Sequence, residues 1–272
     1  MPTAPNPNEY LDQGEGPTVV LLHSSMGSKS QWRTLCAELA TTHRTLAIDL
    51  YGYGAAPMPA CADSRFALAD EVLRIEQMLA GLLERDEHMH LVGHSYGGAV
   101  ALRLALRLGA RVRSISVYEP TAFHTVPKGD AALDAVRSVA GAVHQWRAAP
   151  SALQLAEHFI DFWSGPGSFT GLPQARQEAL SRQLPKVALD FQALFDASLS
   201  ASDYRAVGAP VCLIGGVESP GCTRAILGAL AGAAIIMVIA NEVLLFGLPI
   251  QIQIIIKGAV IVIAAALYAR RT

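Results

Sequence analysis

The sequence predicts an α/β fold: a mostly parallel sheet covered by helices on both faces, carrying a helical cap, with hydrophobic helices replacing its C-terminal end. Three observations carry this expectation. Short β-rich apolar runs alternate with helical segments from Thr18 to Ile214, residues 121–205 break the alternation with a long helical stretch, and residues 226–272 are almost free of charge.

The strand-like runs are TVVLLHS (18–24), RTLAIDL (44–50), MHLVGHS (89–95), VRSISVYEP (112–120) and PVCLIGG (210–216). They are short, rich in β-branched residues and apolar without alternation, as strands buried on both faces of a parallel sheet must be. Between them, residues 30–43, 66–87 and 96–110 repeat apolar side chains at helical spacing. Right-handed crossovers then put the helices on alternate faces and ligand sites at the carboxyl ends of the strands. Residues 121–205 read as an inserted cap, whose Trp146, Phe159, Trp163, Phe169 and Phe191 supply its own core. The expected organisation is a core over 1–120, a cap over 121–205, a core strand and loop over 206–225, and a hydrophobic tail over 226–272.

Composition narrows the functional classes. Lys plus Arg total 21 against 23 Asp plus Glu, a formal charge of -2, so nucleic acid is not an expected partner. The 4 cysteines show neither CxxC nor metal-ligand spacing, which suits a reducing compartment and calls for no metal and no cofactor. The N-terminus lacks the basic start and apolar stretch of a secretory signal, so a cytoplasmic location is expected.

A mean hydropathy of +0.32 with 16% charged residues is nevertheless high for a soluble domain, and the excess lies in the tail. From 226 on, the charges are Glu242, Lys257, Arg270 and Arg271. The uncharged runs approach the roughly 20 residues a bilayer-crossing helix needs. Gly247, Leu248 and Pro249 offer a break between two spans, and Arg224, Arg270 and Arg271 would put both ends on the cytoplasmic side.

The strongest local signal is Gly93-His94-Ser95-Tyr96-Gly97-Gly98, which follows an apolar strand and opens a helix. Flanking glycines permit a sharp strand-to-helix turn that lifts the serine hydroxyl above the sheet, with a helix N-terminus beneath developing negative charge. Upstream, His23-Ser24-Ser25-Met26-Gly27-Ser28 ends the first long strand, where the Ser25 amide can join that of Tyr96 as an oxyanion hole. His23 precedes the elbow and reads as a structural residue of this loop.

At these residues the chain resembles the α/β-hydrolase superfamily, in its capped esterase-like and perhydrolase-like branch. The resemblance covers about residues 10–224 through HSSMGS, AIDLYGYG, GHSYGG, VYEP and PVCLIGG. It implies an α/β-hydrolase fold, Ser95 as nucleophile, Ser25 and Tyr96 as oxyanion donors, and a small ester or related acyl molecule as substrate. Ser24 replaces the family's usual glycine in the first loop.

The resemblance also implies an acid and a base, and here the sequence departs from it. The acid's usual place holds Ser219, beside Glu218, while an alternative place after the preceding strand holds Glu119. All 8 histidines (His23, His43, His88, His90, His94, His124, His144, His158) precede residue 159, whereas the family's base follows the last strand. A serine without a base to take its proton is a poor nucleophile, so catalysis is expected to be impaired.

Two readings of the tail stand side by side. In one, RAILGALAG is the penultimate helix of the hydrolase and AAIIMVIAN its last strand. In the other, favoured by the length of the charge-free stretch, the tail resembles the C-terminal spans of ribose-type sugar ABC transporter permeases, joined near residues 224–226. The second reading implies a transmembrane hairpin holding the hydrolase domain at the inner face of the membrane. It opens an alternative function, a non-catalytic membrane-tethered binding module or a nonfunctional fusion. The sequence is silent on oligomeric state.

Overall fold

A run such as Thr18–Leu22, buried at every residue, can satisfy its backbone only between two neighbouring strands, and the fold is built on that requirement. The structure, a computed structural model, describes residues 5–60, 66–233 and 237–241. Its strands are β1 (Tyr10–Gln13), β2 (Thr18–Leu22), β3 (Arg44–Ile48), β4 (Met89–His94), β5 (Val112–Tyr118), β6 (Val211–Gly216) and β7 (Met237–Asn241). They form one 7-stranded sheet in the order β1-β3-β2-β4-β5-β6-β7. β1 runs antiparallel to β3, and every other pairing is parallel.

The helices are α1 (Arg33–Leu39), α2 (Leu68–Leu82), α3 (Tyr96–Leu108), α4 (Asp134–His144), α5 (Ala152–Ser164), α6 (Gln174–Ser181), α7 (Leu184–Phe195) and α8 (Gly221–Ala233). Alternation along the strands divides the core. Val20, Leu22, Leu46 and Ile48 face one cluster with α2 and α3, while Val19, Leu21 and Ala47 face the other, against Trp32, Cys36 and Leu39.

Helices α4 to α7 fall in the chain between β5 and β6. The aromatics of residues 121–205 bury area in packing: Phe123 stacks on Phe195 at 4.7 Å between centroids, and Phe159 meets Phe191 edge-on at 5.9 Å. Phe169 is buried, and Trp146 and Trp163 pack against the same cluster from partly exposed positions.

The tail is where the structure departs from the favoured expectation. The junction expected near 224–226 falls inside α8, whose Ile226 and Leu230 are buried in the main core. β7 then extends the sheet, with Cys212 opposite Met237 and Gly216 opposite Asn241. An apolar segment that reaches the sheet edge gains both backbone partners and burial, which the charge-free composition alone does not distinguish from a membrane span. Among the described residues no helix is long and apolar enough to cross a membrane. The rest of the expected hairpin, residues 242–272, lies outside the described residues.

His23 is fully buried in this frame and His124 largely so, with part of it exposed. Fully buried His23 receives a hydrogen bond from the Leu50 amide on Nε2 at 2.9 Å and offers Nδ1 to the Ser24 carbonyl at 2.7 Å. His124 pairs Nε2 with the Tyr204 hydroxyl at 2.8 Å. Burial pushes each down to about 4, and Arg103 adds to the effect at His124.

Two measurements follow from this packing. Leu230→Ala is expected to lower stability by about 2–5 kcal/mol in denaturant unfolding; an unchanged midpoint would show that α8 is not part of the core. A histidine whose folded-state value lies below its unfolded one keeps its stabilising effect above pH 6.5 and loses it as pH falls toward about 4. Each contributes up to about 3 kcal/mol across that window. The melting temperature should therefore drop between pH 6.5 and 4.5, and a flat profile would contradict the burial of these rings.

Candidate active site at the carboxyl edge of the sheet

The elbow forms because its glycines leave no alternative. A Cβ on Gly97 would lie 2.3 Å from the Leu22 carbonyl oxygen, and one on Gly93 would lie 2.5 Å from that of Gly97. With both side chains absent, α3 starts hard against the end of β2, and the Gly97 amide donates to the His23 carbonyl at 3.1 Å. Ser95 is left at φ 53, ψ -117, a conformation costly for a residue with a side chain. Neighbouring backbone holds it there: the Ser95 amide donates to Tyr118 at 3.0 Å, and its carbonyl accepts from Thr121 at 3.2 Å.

The other described non-glycine residues with positive φ are Met26 at 58 and Glu119 at 47. All three follow the carboxyl ends of adjacent strands: Met26 after β2, Ser95 after β4 and Glu119 after β5. Strain of this kind persists only where the surroundings enforce it, and here it marks one edge of the sheet.

The loop after β2 is fixed from two sides. Gln31 Oε1 accepts from the Ser24 amide at 3.1 Å and the Ser24 hydroxyl at 3.0 Å, and its Nε2 donates to His94 Nδ1 at 3.0 Å. Ser24, which stands where the family has glycine, is thereby part of a bridge from the loop to the elbow. On the other side, the Ser25 hydroxyl donates to Asp190 Oδ2 at 2.6 Å. The amides of Ser25 and Tyr96 have no hydrogen-bond partner among the described residues.

Glu119 turns toward β6. Its Oε1 accepts from the Ser219 hydroxyl, and from the Gly216 amide at 3.1 Å. Ser219 also accepts from Gly216 at 3.0 Å, while Arg224 donates to its carbonyl at 2.9 Å. Glu218 is exposed. The two alternative acid positions thus lie together, one filled by a carboxylate and the other by the hydroxyl that binds it.

The histidines do not reach Ser95: among the described residues none is hydrogen-bonded to it. His23 is held neutral by burial, with both nitrogens engaged by the loop backbone. His94 lies on Tyr118, centroids 4.9 Å apart, and His90 bonds Ser114 at 2.7 Å. His43 pairs with Thr42. His88, His144 and His158 are exposed.

Sequence reasoning missed the charges beneath the site. Lys186 and Asp190 of α7 are only 1% and 2% exposed. Lys186 Nζ donates to Asp190 Oδ1, and to Glu71 Oε2 of α2 at 3.3 Å. Tyr53 donates to Asp190 at 2.5 Å, and Tyr96 donates to Glu71 at 3.2 Å. Burial raises the Asp190 carboxyl, against the pull of Lys186, Ser25 and Tyr53. The available signal was a lysine and an aspartate four residues apart within the otherwise apolar run VALDFQALF and its leading Lys186. No group of metal-binding side chains occurs among the described residues.

Substituting the pinched glycine is a direct check on the elbow. Gly97→Ala is expected to destabilise by about 2 kcal/mol or more through the backbone it would strike; a variant of unchanged stability would disprove the close approach.

Comparison with known proteins agrees with this geometry. The profile of the Alpha/beta hydrolase family matches residues 19–247. The chain is 34% identical over 116 residues to probable lysophospholipase BODYGUARD 3 of Arabidopsis thaliana, covering 41% of this chain and 22% of that protein. It is 33% identical over 108 residues to 2-hydroxymuconate semialdehyde hydrolase of a Pseudomonas species, covering 38% and 36%. The matched segments thus span well under half of these relatives. Among solved structures, an esterase from Exiguobacterium antarcticum superimposes with a TM-score of 0.66 at 16% identity, covering 85% of this chain and 86% of that one. An enol-lactonase from Burkholderia xenovorans gives 0.64 at 18% identity, with coverage of 85% and 86%. These likenesses concern the fold, and together with the profile match they establish that the chain belongs to the alpha/beta hydrolase family.

Proposed function

We propose that the chain is a serine hydrolase acting on small ester or related acyl molecules through Ser95, with activity limited by the lack of a histidine base. The observation that carries this reading is the strained Ser95 at the head of α3, facing the loop whose Ser25 amide, like that of Tyr96, has no partner among the described residues. Relatives named as a lysophospholipase and a semialdehyde hydrolase support the hydrolase class.

In this reaction Ser95 Oγ bonds to the acyl carbon and its proton passes to a base. The carbonyl oxygen, now negative, is held by the Ser25 and Tyr96 amides, and the alcohol departs with a proton. Water then cleaves the acyl-serine bond. Each amide would lower the barrier by about 3 kcal/mol. Glu119 is the acid of this scheme, the group that would orient and stabilise a protonated imidazole. The described part of the chain brings no imidazole to that position, and no histidine occurs after His158.

The absence of a base favours one second reading, a binding module that keeps the cap and the elbow without turnover. Attachment to a membrane through residues 242–272 belongs to that reading, and protein released from membranes only by detergent would support it.

Hydrolysis of a short-chain nitrophenyl ester, with and without added imidazole, separates the two. Wild-type protein should turn over slowly, accelerate saturably with imidazole, and lose both activities in Ser95→Ala. Equal rates for the wild type and Ser95→Ala would end the catalytic reading. Glu119→Gln should reduce the imidazole-assisted rate by about tenfold or more, as loss of the orienting carboxylate does in other triads; an undiminished rate would remove Glu119 from the mechanism.

A further inference from the structure

The two residues proposed as oxyanion donors share a support that their backbone geometry alone does not require. Ser25 sends its hydroxyl to Asp190, and Tyr96 sends its hydroxyl to Glu71. Those two carboxylates are bridged by one ammonium, Lys186 Nζ. Lys186 and Asp190 belong to α7 of the inserted segment, Glu71 belongs to α2, and all three are buried. The Lys186 ammonium also lies 4.6 Å from the Tyr96 ring centroid and 5.0 Å from that of Tyr53.

We infer that Lys186 and Asp190 are positioning residues of the oxyanion hole, through which the cap sets where the Ser25 amide stands relative to that of Tyr96. This deepens the reading above and rests on it.

The physics follows from burial. In a site closed to water, Asp190 must have partners, and Ser25 supplies one of its hydrogen bonds. The Ser25 hydroxyl therefore has a fixed acceptor, and its own amide is displaced by any movement of α7. On the opposite side the loop is tied to Gln31 through Ser24, to the His23 ring and the Gly27 amide through the Ser24 carbonyl, and to the Gly97 amide through the His23 carbonyl. The Ser24 carbonyl holds one end of the Ser25 peptide plane and Asp190, through the Ser25 side chain, holds the other; removing Asp190's hold lets the Ser25 end shift beside Met26, whose positive φ is itself enforced from outside. A donor that swings out of line loses its effect on the transition state while leaving substrate binding almost intact.

The test compares Ser25→Ala, Ser25→Thr and Asp190→Asn in the full chain, by imidazole-assisted ester turnover and by hydrogen exchange of the peptide covering residues 23–28. Ser25→Ala is expected to lower kcat about tenfold with KM unchanged and to speed exchange in the loop by about tenfold. Ser25→Thr, which keeps the hydroxyl, should restore both. Asp190→Asn should match Ser25→Ala. The inference is overturned if Ser25→Ala behaves as wild type in both measurements, or if Ser25→Thr is as impaired as Ser25→Ala. Ser25→Ala leaves the buried charges in place, so a misfolded Asp190→Asn does not remove the decision. Should no variant turn over ester, the catalytic reading fails, and exchange alone decides whether Asp190 holds the loop.

Discussion

The hydrogen bond from the Gly97 amide to the His23 carbonyl, 3.1 Å across a gap with no room for a side chain, is the constraint from which the carboxyl edge of the sheet takes its shape. It joins the first turn of α3 to the end of β2, so the elbow and the loop after β2 cannot move apart. Once they are joined, the Ser95 backbone has a single way to connect β4 to α3, with positive φ. The adjacent β5–α4 segment grips it through Tyr118 and Thr121. The strain at Ser95, of order 1–3 kcal/mol, is offset by the sheet pairing and the buried apolar surface on either side. His23 contributes twice, since its carbonyl receives Gly97 while its neutral ring staples the Ser24 carbonyl to the Leu50 amide.

Charge sits beneath this backbone frame in an unusual place. Glu71, Lys186 and Asp190 come from two helices distant in sequence and meet with almost no exposure. Such a cluster costs desolvation that its mutual attraction only partly returns, so its value to the fold lies in specificity rather than in raw stability. The hydroxyls of Ser25, Tyr53 and Tyr96 and the amide of Tyr51 complete its hydrogen bonds. The result is a polar floor under the elbow, coupled to the inserted helices.

Much of this was legible in the residues. The continuous apolar runs gave the parallel strands, because only burial on both faces tolerates five successive apolar or β-branched residues. The paired glycines around Ser95 gave the turn. The two edge strands were harder. β1, YLDQ, is half exposed and alternates too weakly to stand out, and β7 lies in a charge-free stretch where a buried strand and a membrane span share the same composition. Helix α8 and β7 were open to two readings, as the last helix and strand of the hydrolase or, in the favoured one, as part of a membrane tail, and the buried Ile226 and Leu230 show how far the sheet's own core extends. The site was legible as a list of parts and not as a network. Lys186 and Asp190, an i, i+4 pair in one dimension, drew no expectation, since nothing in the sequence says that Glu71, Tyr53 and Ser25 converge on them.

That convergence bears on how such a chain can drift. Replacing Glu71, Lys186 or Asp190 singly strands an opposite or excess charge in the interior, at a cost of about 3–5 kcal/mol, comparable to the whole margin by which a small fold outweighs its unfolded state. Acceptable changes are therefore concerted ones, and the cluster is inherited or lost as a unit. A side chain carried on a surface loop can be exchanged far more cheaply than the ionic floor beneath Ser95, so that floor is the most durable part of this edge of the sheet.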